Sequence, residues 1–125
     1  MRVENMFHFT NILGTAMHGT TVRGAVLTNN IANVDTPRFK RSVVSFEDQL
    51  GRAVNDFRRT GTLDTRSVSP RTSIEFDHLS YRWDQNNVDI ELEMALLYQN
   101  NMRFNVMSSG VMHHYRVINM VINMQ

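Results

Sequence analysis

The side chains with the clearest chemical potential are acidic and histidine residues in the C-terminal part of the chain. Asp89, Glu91 and Glu93 form an acidic group, but no histidine, lysine or serine stands at a spacing that would pair with it for acid–base catalysis. His113 and His114 are adjacent, and adjacent residues of a helix point about 100° apart, so they cannot bind one metal ion together. The chain contains no cysteine, which excludes disulfides and thiolate sites. These residues predict no enzyme activity, no metal and no cofactor.

Three side-chain amides near the start of the chain favour binding between protein segments. Asn29, Asn30 and Asn33 lie close to the expected end of a helix. Each amide could cap that helix, and together they could bond the departing chain or a neighbouring subunit. Most of the basic residues lie between Arg38 and Arg82, but acidic residues are interspersed and the formal net charge is only +1. We therefore expect no nucleic-acid binding.

A long N-terminal helix is predicted to position these amides. We expect it to span residues 9–34 and to stop near Asn33 or Val34, before Asp35 and Pro37, and Asn33 can take the left-handed capping conformation there. Apolar or small residues recur along it at steps of four and three, the spacing of helix-on-helix packing: Leu13, Met17, Thr20, Gly24, Leu27, Ile31 and Val34. A row of small residues would also let a neighbouring backbone come close: Ala16, Thr20, Gly24, Thr28 and Ala32.

A second long helix is predicted over residues 88–123. Asn86 or Asn87 would accept from the free N–H groups of its first turn, and Asp89, Glu91 and Glu93 would lie near the positive end of the helix dipole. Its seam follows a strict four–three alternation: Ile90, Met94, Leu97, Asn101, Phe104, Ser108, Val111, Tyr115, Ile118 and Ile122. A second apolar stripe lies on the opposite side: Leu92, Leu96, Val106, Val117, Met120 and Met124.

The low charge of this second helix predicts assembly. After Glu93 its only charged residues are Arg103 and Arg116, whereas an ordinary surface helix has one apolar stripe and a charged back. A pair of helices buries one stripe of each, so the other stripe needs neighbours. Asn101 would either fix register within the seam or face solvent at a gap. No run of 18 apolar residues occurs, so no transmembrane span is expected.

The middle of the chain, residues 37–87, is expected to be irregular. A short helix is predicted over residues 46–54, with Ser45 as its N-cap. Alternating residues at 73–76 and 78–83 predict a small β-hairpin. The expected fold class is therefore mainly α, with long N- and C-terminal helices packed as a coiled-coil-like pair.

Two segments carry a family resemblance. Residues 28–40, TNNIANVDTPRFK, resemble the ANNIANxDTPGYK signature of the bacterial flagellar axial proteins. Residues 84–94, DQNNVDIELEM, resemble the D-G-NNVD-x-x-x-EM segment of the flagellar basal-body rod proteins of the proximal type, and SVVSFEDQL at 42–50 also fits that family. Arg38 and Gln85 stand where the family carries glycine, and glycine takes positive φ freely.

The resemblance implies a structural subunit of the flagellar basal-body rod, without catalytic residues or cofactor. Residues 1–36 and 88–125 would form the inner assembly core, and residues 37–87 an outer segment. The subunit would build a hollow helical shaft that transmits torque and passes exported subunits. It would lie in the periplasmic space after export without a cleaved signal peptide. Implied partners are other rod proteins, copies of itself, the rod-base adaptor, the membrane ring protein and the flagellar export apparatus.

An alternative function is a small soluble helical adaptor that binds a partner helix in a groove. Under the rod interpretation, the residues expected at assembly interfaces are Leu13, Met17, Gly24, Leu27, Asn30, Ile31, Asn33, Asp35, Pro37, Asn87, Asp89, Ile90, Met94, Leu97, Asn101, Phe104, Val111, Tyr115, Ile118 and Ile122.

Overall fold

A computed structural model describes residues 3–76 and 82–124, with the backbone alone for residues 3–6. In chain order its elements are α1 (Val3–Ala32), β1 (Ser42–Ser45), α2 (Glu47–Thr60), β2 (Arg71–Ile74) and α3 (Ile90–Ile122). The prediction of a mainly α fold with two long terminal helices and a small antiparallel sheet is confirmed. Within the described ranges, no helix has the combination of length and apolar character that crossing a membrane requires.

The two long helices pack against each other in antiparallel directions. Residue numbers fall along α1 as they rise along α3, so the end of α1 lies beside the start of α3. Four contacts mark the shared face: Asn30 with Glu93, Thr20 with Asn100, Leu13 with Gly110, and Phe9 with His114.

Helix α1 is longer at its start than the sequence predicted. It begins at Val3 rather than at residue 9, and the added turns approach α2, where the ring of His8 lies 4.8 Å from that of Phe57. The predicted left-handed cap at Asn33 is wrong, because its φ is not positive. Its side chain Nδ2 instead donates to the carbonyl oxygen of Asn29, at 2.8 Å.

Helix α3 starts with a cap different from the one expected. Asp89 is the N-cap, and its Oδ1 accepts from the backbone N–H groups of Glu91 (3.0 Å) and Leu92 (3.2 Å). The prediction of Asn86 or Asn87 as this cap is wrong, because both side chains bond other segments of the chain. The positive end of the helix dipole also stabilises a carboxylate at this position.

Helix α2 extends six residues beyond its predicted end. Residue 46, not Ser45, holds the N-cap position and makes no side-chain cap bond, because Ser45 closes strand β1. Gly61 ends the helix with φ 73°, and its N–H donates to the carbonyl oxygen of Phe57 at 2.8 Å. Glycine suits this position because a left-handed residue with a β-carbon costs about 1–2 kcal/mol.

The sheet is antiparallel as predicted, and β2 shares residues 73–74 with the predicted strand 73–76, but its partner is β1. Strand β2 pairs with β1, with Ser42 opposite Ile74 and Ser45 opposite Arg71, so α2 lies between the two strands in sequence. Of the second predicted strand, residues 78–81 lie outside the described residues, and Trp83 belongs to a turn. All four β2 residues are exposed, so burial leaves no alternating pattern to mark the strand.

The apolar core is small and lies where α1, β1, α2 and the approach to α3 meet. Its buried members are Ala16, Leu27, Val44, Phe46, Ala53, Val68 and Val88. The ring of Phe46 rests on Gly19, where an added β-carbon would come within 2.6 Å of the ring. A glycine in the helix interior is therefore required for this aromatic contact.

Candidate assembly interface

Only about half of the residues on the face that α3 turns toward α1 belong to the predicted seam. Five predicted members are half-buried: Ser108 and, at every second seam position, Leu97, Phe104, Val111 and Ile118. The intervening positions are taken by Glu93, Asn100, Met107 and His114, each buried or half-buried, whereas Met94, Asn101 and Tyr115 are exposed. Both seams alternate steps of four and three and share every second residue, but the apolar pattern favoured the other one, because Glu93, Asn100 and His114 on the observed face are polar.

A fully enclosed asparagine joins α1 to the strand that follows it and to α3. Asn30 has no exposed surface, and its Nδ2 donates to the carbonyl oxygen of Ser42 (2.8 Å) and to Glu93 Oε2 (3.0 Å). In return, the N–H of Ser42 donates to Asn30 Oδ1 (2.9 Å). This amide acts within the subunit, since a residue without exposed surface cannot contact a neighbour.

The carboxylate that Asn30 binds is also fully buried and is paired with an arginine. Arg41 Nε donates to Glu93 Oε1 at 2.7 Å, and Arg41 Nη1 reaches Glu75 Oε2 at 2.5 Å. A buried charge is tolerated when a counter-charge and hydrogen bonds satisfy it. We call Asn30, Ser42, Arg41, Glu75 and Glu93 the polar latch, because they join α1, both strand regions and α3.

The two asparagines of the second motif bond the chain around the first motif. Asn86 is buried, and its Nδ2 lies 2.8–3.0 Å from the carbonyl oxygens of Asn33, Val34 and Thr36, which follow α1. Asn87 Oδ1 accepts from the N–H of Arg41 at 2.7 Å. The side chains of one motif therefore satisfy backbone groups of the other, and the two motifs form one unit.

Both positions where the family carries glycine have a left-handed backbone, as glycine would prefer. Arg38 has φ 60° and Gln85 has φ 62°, the positive φ values among non-glycine residues of the described chain. The turns lie side by side, because the N–H of Arg38 donates to the carbonyl oxygen of Asp84 at 2.9 Å. The N–H of Asn86, bonded to Asp84, is the main cause of the lowered pKa of that carboxyl.

A second charged group holds the start of α2 against α1. Arg23 pairs with Glu47 at 2.5 Å, donates to the carbonyl oxygen of Val44 at 2.8 Å, and lies 4.9 Å above the ring of Phe46. The hydrogen bond from Arg23 lowers the pKa of Glu47 to about 2, against a smaller opposing effect of burial.

The outward faces of α3 carry large apolar side chains along most of its length. The exposed ones are Ile90, Leu92, Met94, Tyr98, Met102, Val106, Met112, Tyr115, Val117, Met120, Val121 and Ile122. We call this set the apolar face of α3. Large apolar side chains exposed in such number along one helix indicate an interaction surface. Across the part of the chain that the structure describes, no group of three histidine or acidic side chains is placed to hold a metal ion.

The predicted interface residues fall into three groups by burial. Buried are Leu27 and Asn30. Half-buried are Leu13, Met17, Gly24, Ile31, Asn33, Asn87, Leu97, Phe104, Val111 and Ile118. Exposed are Asp35, Pro37, Asp89, Ile90, Met94, Asn101, Tyr115 and Ile122. The exposed group is open to a neighbour, whereas the buried pair and many of the half-buried residues, such as Leu97 and Asn87, make contacts within the subunit.

Sequence reasoning missed several residues that organise this region. Glu93 was expected only to favour the helix start, and Asn100, rather than Asn101, is the buried amide that donates to the carbonyl oxygen of Thr20 at 2.9 Å. The partner of Glu93, Arg41, lies 52 residues away in sequence, so no local pattern marks the pair. The paired asparagines of the second motif were a usable signal, since adjacent amides can bond two different segments.

Comparison with known proteins agrees with this arrangement. Residues 11–40, which hold most of α1 and the first motif, match the family model described as flagella basal body rod protein. The flagellar basal body rod protein FlgB of Borrelia hermsii is 38% identical over 116 residues, covering 82% of this chain and 86% of the relative. Its counterpart in Borreliella burgdorferi is 33% identical over the same shares. FlgB of Bacillus subtilis is 33% identical over 99 residues, covering 74% of this chain and 75% of the relative. The chain therefore belongs to the flagellar basal-body rod proteins.

Proposed function

We propose that this chain is a subunit of the proximal flagellar rod, and that the apolar face of α3 joins it to neighbouring subunits of a hollow helical shaft. The observation that carries the proposal is the exposure of this face along a helix that has only Arg103 and Arg116 as charges after Glu93. Burial of apolar surface contributes about 25 cal/mol per Å², so neighbours that cover this face would stabilise the assembly.

The two long helices supply the inner core of the proposed shaft. In this arrangement residues 1–36 and 88–125 pack inward and residues 37–87 face outward or contact adjacent rod proteins. Closely packed helices deform little, which suits a shaft that transmits torque and passes exported subunits through its channel. The names of the relatives favour this role over the alternative of a small soluble adaptor.

Partners and place in the cell follow from the same proposal. The subunit would bind other rod proteins, copies of itself, the rod-base adaptor and the membrane ring protein. It would reach the periplasmic part of the flagellar basal body through the flagellar export apparatus, without a cleaved signal peptide.

A charge placed on the apolar face tests the proposal. In cells that lack their own copy, Val106→Asp is expected to abolish motility and recovery of the subunit in isolated basal bodies, because Val106 is 69% exposed and its replacement buries a charge at the contact. Ile74→Asp is the matched control, since Ile74 is an aliphatic residue 55% exposed on β2. Unchanged circular dichroism of both variants would show that folding is retained. Normal motility with Val106→Asp would contradict the proposed contact.

A further inference from the structure

A groove lies between the start of α2 and the middle of the α1–α3 pair. It encloses about 440 Å³, far more than one water molecule needs. Most of its wall is apolar: Ala16, Phe46, Leu50, Met102, Val106 and Met107. Met102 and Val106 also belong to the apolar face of α3, so the groove is continuous with the surface through which we propose assembly.

One positive charge on the rim of this groove is free. Arg23 and Glu47, which also line the rim, neutralise each other through their ion pair. Arg103 lies on the α3 side, is exposed, and makes no hydrogen bond or ion pair with any residue that the structure describes. The groove is therefore suited to an apolar segment that ends in negative charge.

The C-terminal end of α3 has this chemistry. Its exposed apolar residues are Val117, Met120, Val121, Ile122 and Met124. No charged residue follows Arg116, and the last turn of the helix holds no basic residue. The carbonyl groups at the end of a helix carry partial negative charge, and here no side chain of the last turn neutralises it.

We propose that the C-terminal end of α3 of one copy docks into this groove of a second copy, with Arg103 facing the helix end. A molecule cannot fill its own groove in this way, because α3 is one continuous helix and Val106 and Ile122 are about 24 Å apart along it. The contact joins two different surfaces, so it adds subunits head to tail, which builds an open helical array when the rotation between subunits does not close a ring. This inference rests on the proposed rod function and names one contact within it.

Photochemical cross-linking in assembled basal bodies tests the contact. A benzophenone amino acid replaces Leu50, which lines the groove, and irradiated basal bodies are analysed by mass spectrometry of the cross-linked peptides. Gly51 is the matched control site, because a β-carbon there meets no atom within 4 Å. We expect the Leu50 site to join residues 117–124 of a second copy and the Gly51 site to leave that segment unlabelled. Arg103→Glu is expected to lower the yield of this adduct severalfold, and Arg66→Glu, at a side chain 97% exposed in the loop after α2, to leave it unchanged.

Three results overturn the inference: a Leu50 adduct with another segment of this chain, an adduct with a different rod protein, or no adduct from a variant that is present in the basal body. If the Leu50 variant is not incorporated, the same measurement at Met102, on the opposite wall, decides the question. Absence of the unmodified chain from basal bodies would instead refute the proposed function, so the two failures are distinguishable.

Discussion

Replacing Asn30 by alanine removes the centre of the polar latch. The change deletes three hydrogen bonds of 2.8–3.0 Å, two to the backbone of Ser42 and one to the buried carboxylate of Glu93. Each buried polar group left without a partner costs about 1–3 kcal/mol, and a hydrogen bond to a charged group such as Glu93 contributes about 1.5–3 kcal/mol. Because water can replace some of these bonds, we expect the free energy of unfolding to fall by about 3–5 kcal/mol.

The chain provides a matched control one residue earlier. Asn29 is exposed and its side chain makes no hydrogen bond with a described residue, so Asn29→Ala is expected to change stability by no more than about 0.5 kcal/mol, through helix propensity. Urea unfolding of the purified variants, followed by circular dichroism, measures both changes. Amide exchange at Ser42, whose N–H donates to Asn30, should accelerate only in Asn30→Ala. Equal stability of the two variants would refute the assignment of the latch as a major source of stability.

Two further predictions concern the turn of the second motif and the start of α2. Gln85→Gly is expected to stabilise the protein by about 0.5–1 kcal/mol, because glycine adopts the left-handed backbone at φ 62° without strain. Gln85→Ala is the control and should not stabilise the protein, because alanine keeps a β-carbon. An equal rise in melting temperature for both variants would exclude backbone strain as the cause. Glu47→Gln is expected to cost about 1 kcal/mol at pH 7, a value kept small because Glu47 is half exposed. Since the folded pKa of Glu47, about 2, lies below its ordinary value of 4.5, its stabilisation is complete above pH 4.5 and is lost as the pH falls toward 2. A wild-type advantage that persists undiminished at pH 2 would be inconsistent with the Arg23–Glu47 pair as its source.

The arrangement explains why two motifs far apart in sequence have the residues they do. Asn30 of the first motif bonds Glu93 of the second across 63 residues, and Asn86 of the second bonds the carbonyl groups that follow α1. Each motif alone would leave buried polar groups without partners. The two are therefore expected to fail together, so a double change at Asn30 and Glu93 should cost less than the sum of the single changes.

Local patterns in the sequence were sufficient for the helices and for the strained turns. The four–three spacing predicted both long helices, and the proline after α1 predicted where that helix ends to within about two residues, because these signals depend on neighbours a few positions away. The two turns were marked instead by the short motifs that resemble the family, which carry glycine where Arg38 and Gln85 take positive φ.

The tertiary structure alone decided how the elements meet. Two seams with the same spacing were possible on α3, and the face built around Glu93 and Asn100 is the one turned to α1, where Asn30 and the carbonyl group of Thr20 bond them. Strand β1 paired with β2 across α2, a contact that no local alternation specifies when β2 is exposed on both sides. The periodicity of the sequence predicts that each helix has an apolar side. Which residues face the partner helix depends on polar groups that the fold brings together from distant parts of the chain.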